Sequence, residues 1–263
     1  MDEAQIKEMV RARYGGIAAQ ASGAGCCTPA ASSCCGPETA SHDKARRMGY
    51  SEAELAVAPE GANLGLGCGN PQAIAALQPG EVVVDLGSGA GFDCFLAARQ
   101  VGDDGRVIGV DMTHEMLTKA RDNAARIGAG NVEFRLGELE HLPIADNTAD
   151  VVISNCVINL VPDKAQVFRE AFRVLKPGGR LAVSDVINIA PLPAELRADP
   201  ALLCGCVAGA APAERIEAWL SAAGFVEPHV TPDFESREMV TSWAAGRGIE
   251  NYIAPAMVEA RKP

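Results

Sequence analysis

From Glu81 onward, short β-branched runs alternate with stretches whose apolar residues recur at helical spacing. Residues 82–86, 107–111, 132–136, 151–154 and 181–184 read as five strands. Between them helices are expected over 92–100, 113–127 and 163–175, with Thr113 and Asp163 as N-caps that could satisfy exposed first-turn amides. Lys176-Pro177-Gly178-Gly179 stops the third of these helices and turns the chain into the fifth strand. This regular alternation predicts an α/β fold, a doubly wound and mostly parallel Rossmann-like sheet.

Outside this core the pattern weakens. Ile6, Met9 and Val10 predict a short helix over 2–13 that ends near Gly15-Gly16. Residues 20–43 are rich in Ala, Gly, Ser, Cys and Pro and almost devoid of large apolar side chains, so a mobile loop is expected. After the core, Pro191, Pro193, Pro200 and Pro212 mark an insertion, followed by a helix near 213–223, a strand over 225–230 and a weak helix near 237–246. The stretch after Ile249 looks compressed and leaves the last strand of the sheet undefined. The expected organisation is therefore an N-terminal helix and Cys-rich loop (1–43), a nucleotide-type core (44–186) and a C-terminal insertion with the end of the sheet (187–263).

Composition narrows the function classes. The 263 residues carry 34 acidic and 23 basic side chains, a net charge of −11 that repels phosphate backbones and anionic lipid, so nucleic acid and membrane are not expected partners. The most apolar stretch, 151–161, is interrupted by Ser154, Asn155 and Asn159 and is far shorter than the roughly 20 residues a span needs. The start, Met1-Asp2-Glu3-Ala4, is acidic where a signal peptide is basic, so a cytoplasmic location is expected. In a reducing compartment the nine cysteines point to metal binding, catalysis or burial rather than structural pairing. The four histidines show no metal-ligand spacing.

The first strand ends in Asp85-Leu86-Gly87-Ser88-Gly89-Ala90-Gly91-Phe92. Glycines at such a turn admit a ligand close to the backbone, and the following helix presents free amides. The third glycine falls two residues after the second, where a dinucleotide fingerprint needs three, so nicotinamide binding is disfavoured. Asp111, 20 residues past Gly91, ends the second strand where a carboxylate can accept both hydroxyls of an adenosyl ribose. With Val174-Leu175-Lys176-Pro177-Gly178-Gly179-Arg180, these motifs resemble the class I S-adenosylmethionine-dependent methyltransferases. The resemblance implies cofactor contacts from Asp85, Gly87, Ser88, Gly89, Gly91, Asp111 and Met112, from Gly137 and Glu138 near the adenine, and from Asn155. The fourth strand ends in Ser154-Asn155-Cys156-Val157-Ile158-Asn159-Leu160, not the Asn-Pro-Pro-Tyr-like tetrad of many N-methyltransferases, so a thiol stands where substrates sit.

Cys68, in Leu66-Gly67-Cys68-Gly69-Asn70-Pro71, precedes the first strand; Cys204 and Cys206 follow the fifth. In class I methyltransferases these regions meet the fourth-strand end over the methyl group. Three thiolates converging there form a soft donor set that suits trivalent arsenic. Cys94 reads as a small buried hydrophobe, and a structural zinc site lacks the close C-x₂₋₄-C pairs it normally shows. The Cys68 and Cys156 strings, together with Ser184-Asp185-Val186 and Gly205-Cys206-Val207-Ala208-Gly209-Ala210, resemble the arsenite S-adenosylmethionine methyltransferases over about residues 45–225.

That resemblance implies four working cysteines: Cys68, Cys156 and Cys206 as arsenic ligands and one near the N-terminus. Cys26-Cys27 and Cys34-Cys35 both offer the fourth; Cys34-Cys35, before Gly36-Pro37, resembles the Cys-Cys-Gly of bacterial members and is preferred. The implied substrates are arsenite and methylarsenite, the cofactor S-adenosylmethionine, and the reductant a thiol system, thioredoxin or glutathione. Two other classes compete. A methyltransferase acting on a small quinone-like carbon acceptor would tolerate Cys→Ser changes; a metalloid-binding or redox-sensing protein would bind arsenic without consuming cofactor.

Overall fold

The structure, a computed structural model, describes residues 1–20 and 37–263. Its first half contains α1 (Glu3–Gln20), α2 (Pro37–Arg47), α3 (Glu52–Val57), α4 (Gln72–Ala75), β1 (Val82–Leu86), α5 (Phe92–Val101), β2 (Arg106–Asp111), α6 (His114–Ile127) and β3 (Val132–Leu136). The second half contains β4 (Ala149–Asn155), α7 (Lys164–Val174), β5 (Leu175–Asn188), α8 (Ala194–Arg197), α9 (Pro200–Leu203), β6 (Ala211–Pro212), α10 (Ala213–Ala223), β7 (Val226–Pro232), α11 (Arg237–Trp243) and β8 (Ile253–Arg261). The strands form one sheet in the order β3-β2-β1-β4-β5-β8-β7, with β6 paired to β5. Pairing is parallel from β3 to β5, and β8 runs antiparallel to both β5 and β7.

The central strands are apolar on both faces because helices cover both. Val83 aligns with Val107 and Val151 and packs with Phe95 and Leu117 on one side. Val84 and Leu86 point the other way, joining Ile108, Val110 and Val152 against α7. Each fully buried aliphatic side chain of this kind contributes about 1.5–3 kcal/mol, and β1 is thereby fixed so that Asp85, on the Val83 face, ends at the carboxyl edge of the sheet. The first reversal of strand order lies between β1 and β4, which opens the crevice used below.

Four expectations need correction. The N-terminal helix does not stop at Gly15-Gly16: α1 runs to Gln20, and a Cβ at Gly15 would stand 3.1 Å from Glu115 Oε2, so the glycine serves close packing of α1 on α6. The expected 20–43 loop is helical from Pro37, while its earlier part, with Cys26, Cys27, Cys34 and Cys35, lies outside the described residues. Thr113 precedes α6 without a side-chain cap; Asp111 instead accepts its amide at 2.8 Å. Asp163 does cap α7, accepting from Gln166 N at 3.0 Å. The stretch after Ile249, compressed in sequence, supplies β8, a nine-residue strand inside the sheet. Among the described residues, no helix is long and apolar enough to cross a membrane.

Candidate active site

A pocket of about 1160 Å³, counting its mouth, opens at the carboxyl ends of β1, β2 and β4 and is roofed by α1 and α2. Asp85, Gly87, Ser88, Gly89, Asp111, Met112, Gly137 and Asn155 line it, as expected from sequence. Gly91 and Glu138 do not. Gly91 sits behind the turn with φ at 93°, starting α5, where a Cβ would lie 2.8 Å from the Phe95 and Phe134 rings. Glu138 pairs instead with Lys7 at 2.7 Å and Arg11 at 3.3 Å, tying α1 down. Glu140, paired with Lys7 at 3.0 Å, reaches the pocket in its place.

The donor set fits an adenosyl sulfonium cofactor. Asp111 is aimed by two amides, Gly89 N at 2.9 Å and Thr113 N at 2.8 Å, leaving carboxylate lone pairs free for hydroxyl donors. Ser88 Oγ is buried with no partner among the described residues, an acceptor and donor awaiting a ligand. Asp85 and Asp93 are buried beside them. Burial and the Asp93 charge push Asp85 up to about 8, although Cys94 Sγ donates to it at 3.2 Å. Burial likewise raises Asp93, against hydrogen bonds from Tyr50 and Asn155. Two buried carboxyls and the half-buried Asp111 in one crevice make a binding region that a cation would stabilise.

At the far end of the pocket the sulfurs meet. Cys156 lines the pocket, and Cys68 Sγ, Cys156 Sγ and an Asp185 oxygen lie within 4.8 Å of one another. Cys206 joins through Cys156: its sulfur stands 2.8 Å from the Cys156 carbonyl oxygen. Hydrogen bonding from Cys206 and then Cys68 holds Cys156 well below the ordinary thiol value, with the Lys44 charge assisting. Cys68 is pushed up by burial and by its bond to Cys156; Cys206 is pushed up by the bond to Cys156 and then by burial. The surroundings thus favour deprotonation at Cys156 and disfavour it at Cys68 and Cys206. Cys156 and Cys206 adopt left-handed backbone conformations, φ 58° and 63°. Non-glycine residues enter that region at a cost of about 1 kcal/mol or more, and such strain concentrates at functional sites.

Several residues here were not singled out individually from sequence. Asp185 accepts from Asn159 Nδ2 at 2.8 Å and is raised by burial and by the Cys156 charge. Ser184 lies 3.9 Å from the Cys68 sulfur, and its carbonyl accepts the Cys156 amide at 2.7 Å. Both belong to the quoted Ser184-Asp185-Val186 string, which was the available signal. Tyr14, Lys44 and Asp93, which reach the site from helices, and Tyr50, from the turn between α2 and α3, carried none, because the sequences around them are ordinary. Tyr14 donates to the Cys204 carbonyl at 3.2 Å and walls the pocket beside the thiols. Cys204 is buried in the same apolar cluster as Cys68, Cys156 and Cys206, and Cys94 is fully buried in a different one.

A methyltransferase-domain family model matches residues 77–227. The arsenite methyltransferase of Halobacterium salinarum is 52% identical over 268 residues, spanning 100% of this chain and 68% of that protein. The human arsenite methyltransferase is 42% identical over 157 residues, covering 56% of this chain and 42% of that protein. Among solved structures, the arsenic(III) S-adenosylmethionine methyltransferase of Chlamydomonas reinhardtii superposes with a TM-score of 0.66 at 36% identity, covering 80% of this chain and 72% of that one. The chain belongs to the arsenite methyltransferase family, on a class I methyltransferase fold.

Proposed function

We propose that this chain transfers a methyl group from S-adenosylmethionine to trivalent arsenic bound by Cys68, Cys156 and Cys206. The observation that carries the proposal is the sulfur cluster around Cys156, which lines the same pocket as the buried Asp85 and Asp93 and brings Cys68 and Cys206 up behind it. Arsenite exchanges its three hydroxyls for thiolates; each S–As bond forms as an As–O bond breaks, and the thiol proton leaves with the hydroxide as water. Cys156, the sulfur most readily deprotonated, starts this exchange, and the proton it gives up combines with the displaced hydroxide as water. Asp111 would hold the ribose, while Asp85 and the Gly87–Gly89 turn would hold the remainder of the cofactor. When bound, S-adenosylmethionine supplies an electrophilic methyl on a sulfonium cation, and the arsenic lone pair, which carries no proton, needs no general base to accept it. The protein's contribution is alignment and exclusion of water, which reaches roughly 7–11 kcal/mol for well-oriented partners.

Methylation formally oxidises arsenic from trivalent to pentavalent. Two thiols can return the two electrons by closing a disulfide and releasing two protons. We assign one of these thiols to Cys34 or Cys35, with thioredoxin or glutathione reopening the disulfide by exchange. The test is incubation of the protein with arsenite, S-adenosylmethionine and a thiol reductant. Methylated arsenic together with S-adenosylhomocysteine is expected; arsenic binding with no cofactor consumed would leave only a metalloid-binding role.

A further inference from the structure

Cys156 and Cys206 are held by their own backbones: Cys156 N donates to Ser184 O at 2.7 Å and Cys206 N to Leu203 O at 3.1 Å. Cys68 has no such anchor. Among the described residues, the backbone of 66–69 makes hydrogen bonds to one group alone, the side-chain amide of Asn155. Asn155 Oδ1 accepts from Cys68 N at 3.1 Å, and its Nδ2 donates to Gly69 O at 2.9 Å. The fit is close: a Cβ on Gly67 would stand 2.6 Å from Asn155 Nδ2.

The amide is itself clamped from the cofactor side. Nδ2 also lies 3.0 Å from Tyr50 Oη and 3.2 Å from Asp93 Oδ2, and Tyr50 donates to Asp93 Oδ1 at 2.7 Å. Three acceptors share its two N–H bonds, and its oxygen accepts from Cys68 N, so both ends of the amide are engaged in positioning the 66–69 loop. We propose that Asn155 is the positioning residue for Cys68, and thereby decides whether arsenic is held by three sulfurs or by two. The inference rests on the arsenite reading above.

It predicts a selective defect. Arsenite has three exchangeable hydroxyls and uses all three cysteines; methylarsenite has one valence filled by carbon and is satisfied by Cys156 and Cys206. Loosening the Cys68 loop penalises the first substrate and not the second. The experiment compares wild type, Asn155→Ala, Asn155→Ser and Cys68→Ser. Arsenic-edge X-ray absorption counts sulfurs around bound arsenite, and turnover is measured on arsenite and methylarsenite. For Asn155→Ala we expect one sulfur fewer than wild type, as in Cys68→Ser, with the arsenite-to-methylarsenite ratio of kcat/KM reduced about tenfold or more. Asn155→Ser, which keeps one hydroxyl, should fall between, and it carries the test should the alanine variant fold poorly. Full sulfur coordination in the variants, or an equal loss on both substrates, would overturn the proposal. Wild-type protein lacking three-sulfur coordination would instead overturn the arsenite reading, so the two failures are distinguishable.

Discussion

At the glycine-rich end of the pocket, the key carboxylate is oriented largely from nearby in the chain. Asp111 accepts the amide of Thr113, two residues on, and that of Gly89 across one strand pair. At the sulfur end the three cysteines come from distant parts of the chain. Cys68, Cys156 and Cys206 are separated by 88 and 50 residues, and two of them sit in left-handed backbone conformations that only surrounding packing can maintain. The cofactor end is therefore built from a turn that many sequences can make. The sulfur end depends on the whole sheet being assembled, because Cys156 is held by Ser184 of β5 and Cys68 by Asn155 of β4.

The comparison is broken most severely at Cys156 or Cys206. Cys156→Ser and Cys206→Ser should each lower methylation of both arsenite and methylarsenite by about 100-fold or more, because a hydroxyl is a hard, protonated donor and the ligand set acts as a unit. Speciation of the arsenic products reads the loss, and calorimetry with S-adenosylhomocysteine should still show binding. Retained turnover would remove the sulfur end from the mechanism. Cys68→Ser is the next step down: arsenite methylation should be lost while methylarsenite, with one valence already filled, is still converted. Equal loss on both would show that the third sulfur serves a different purpose.

This contrast also explains what could be read from the sequence. Strands 82–86 and 132–136 match the observed strands because Val82-Val83-Val84 is a β-branched run and Val132-Glu133-Phe134-Arg135-Leu136 alternates apolar and polar residues, each between turn signals. Asp111 was legible because its spacing from the glycines follows from a strand and helix of ordinary length. The glycines at 15 and 16 misled, since a break signal in isolation became a packing surface against α6. Asn155 was legible as a pocket residue but not as the clamp on Cys68, which depends on a loop 86 residues earlier. Tyr14 and Lys44 reach the thiols only because α1 and α2 fold over them, a tertiary fact that no local pattern encodes.

A smaller effect is expected at the cofactor end. Asp111→Ala removes an acceptor of charge-assisted hydrogen bonds, each worth about 1.5–3 kcal/mol, so S-adenosylmethionine affinity should fall roughly ten- to a hundredfold. Arsenite binding, read from the thiolate absorption of the complex, should persist because the sulfur cluster does not depend on this carboxylate. Unchanged cofactor affinity would remove the ribose assignment and with it the division of the pocket into two independently built ends.

The smallest effect should come from a cysteine that shares burial with the working three and nothing else. Cys94 is fully buried among Val83, Phe95 and Ile153, and its sulfur donates to Asp85 Oδ2 at 3.2 Å. Burial, then the nearby Asp85 charge, raises it well above the ordinary thiol value, the opposite direction from Cys156. Lying on the helical layer under β1, it lines no part of the pocket. Cys94→Ser keeps a donor toward Asp85 and should leave arsenic coordination and methylation close to wild type. Cys94→Ala loses that donor and a buried sulfur, which should cost about 1 kcal/mol and lower the melting temperature by roughly 2 °C. A Cys94→Ser variant that lost arsenic binding would show that burial alone, without the strained turns and mutual hydrogen bonds of Cys156 and Cys206, is enough to make a working thiol here.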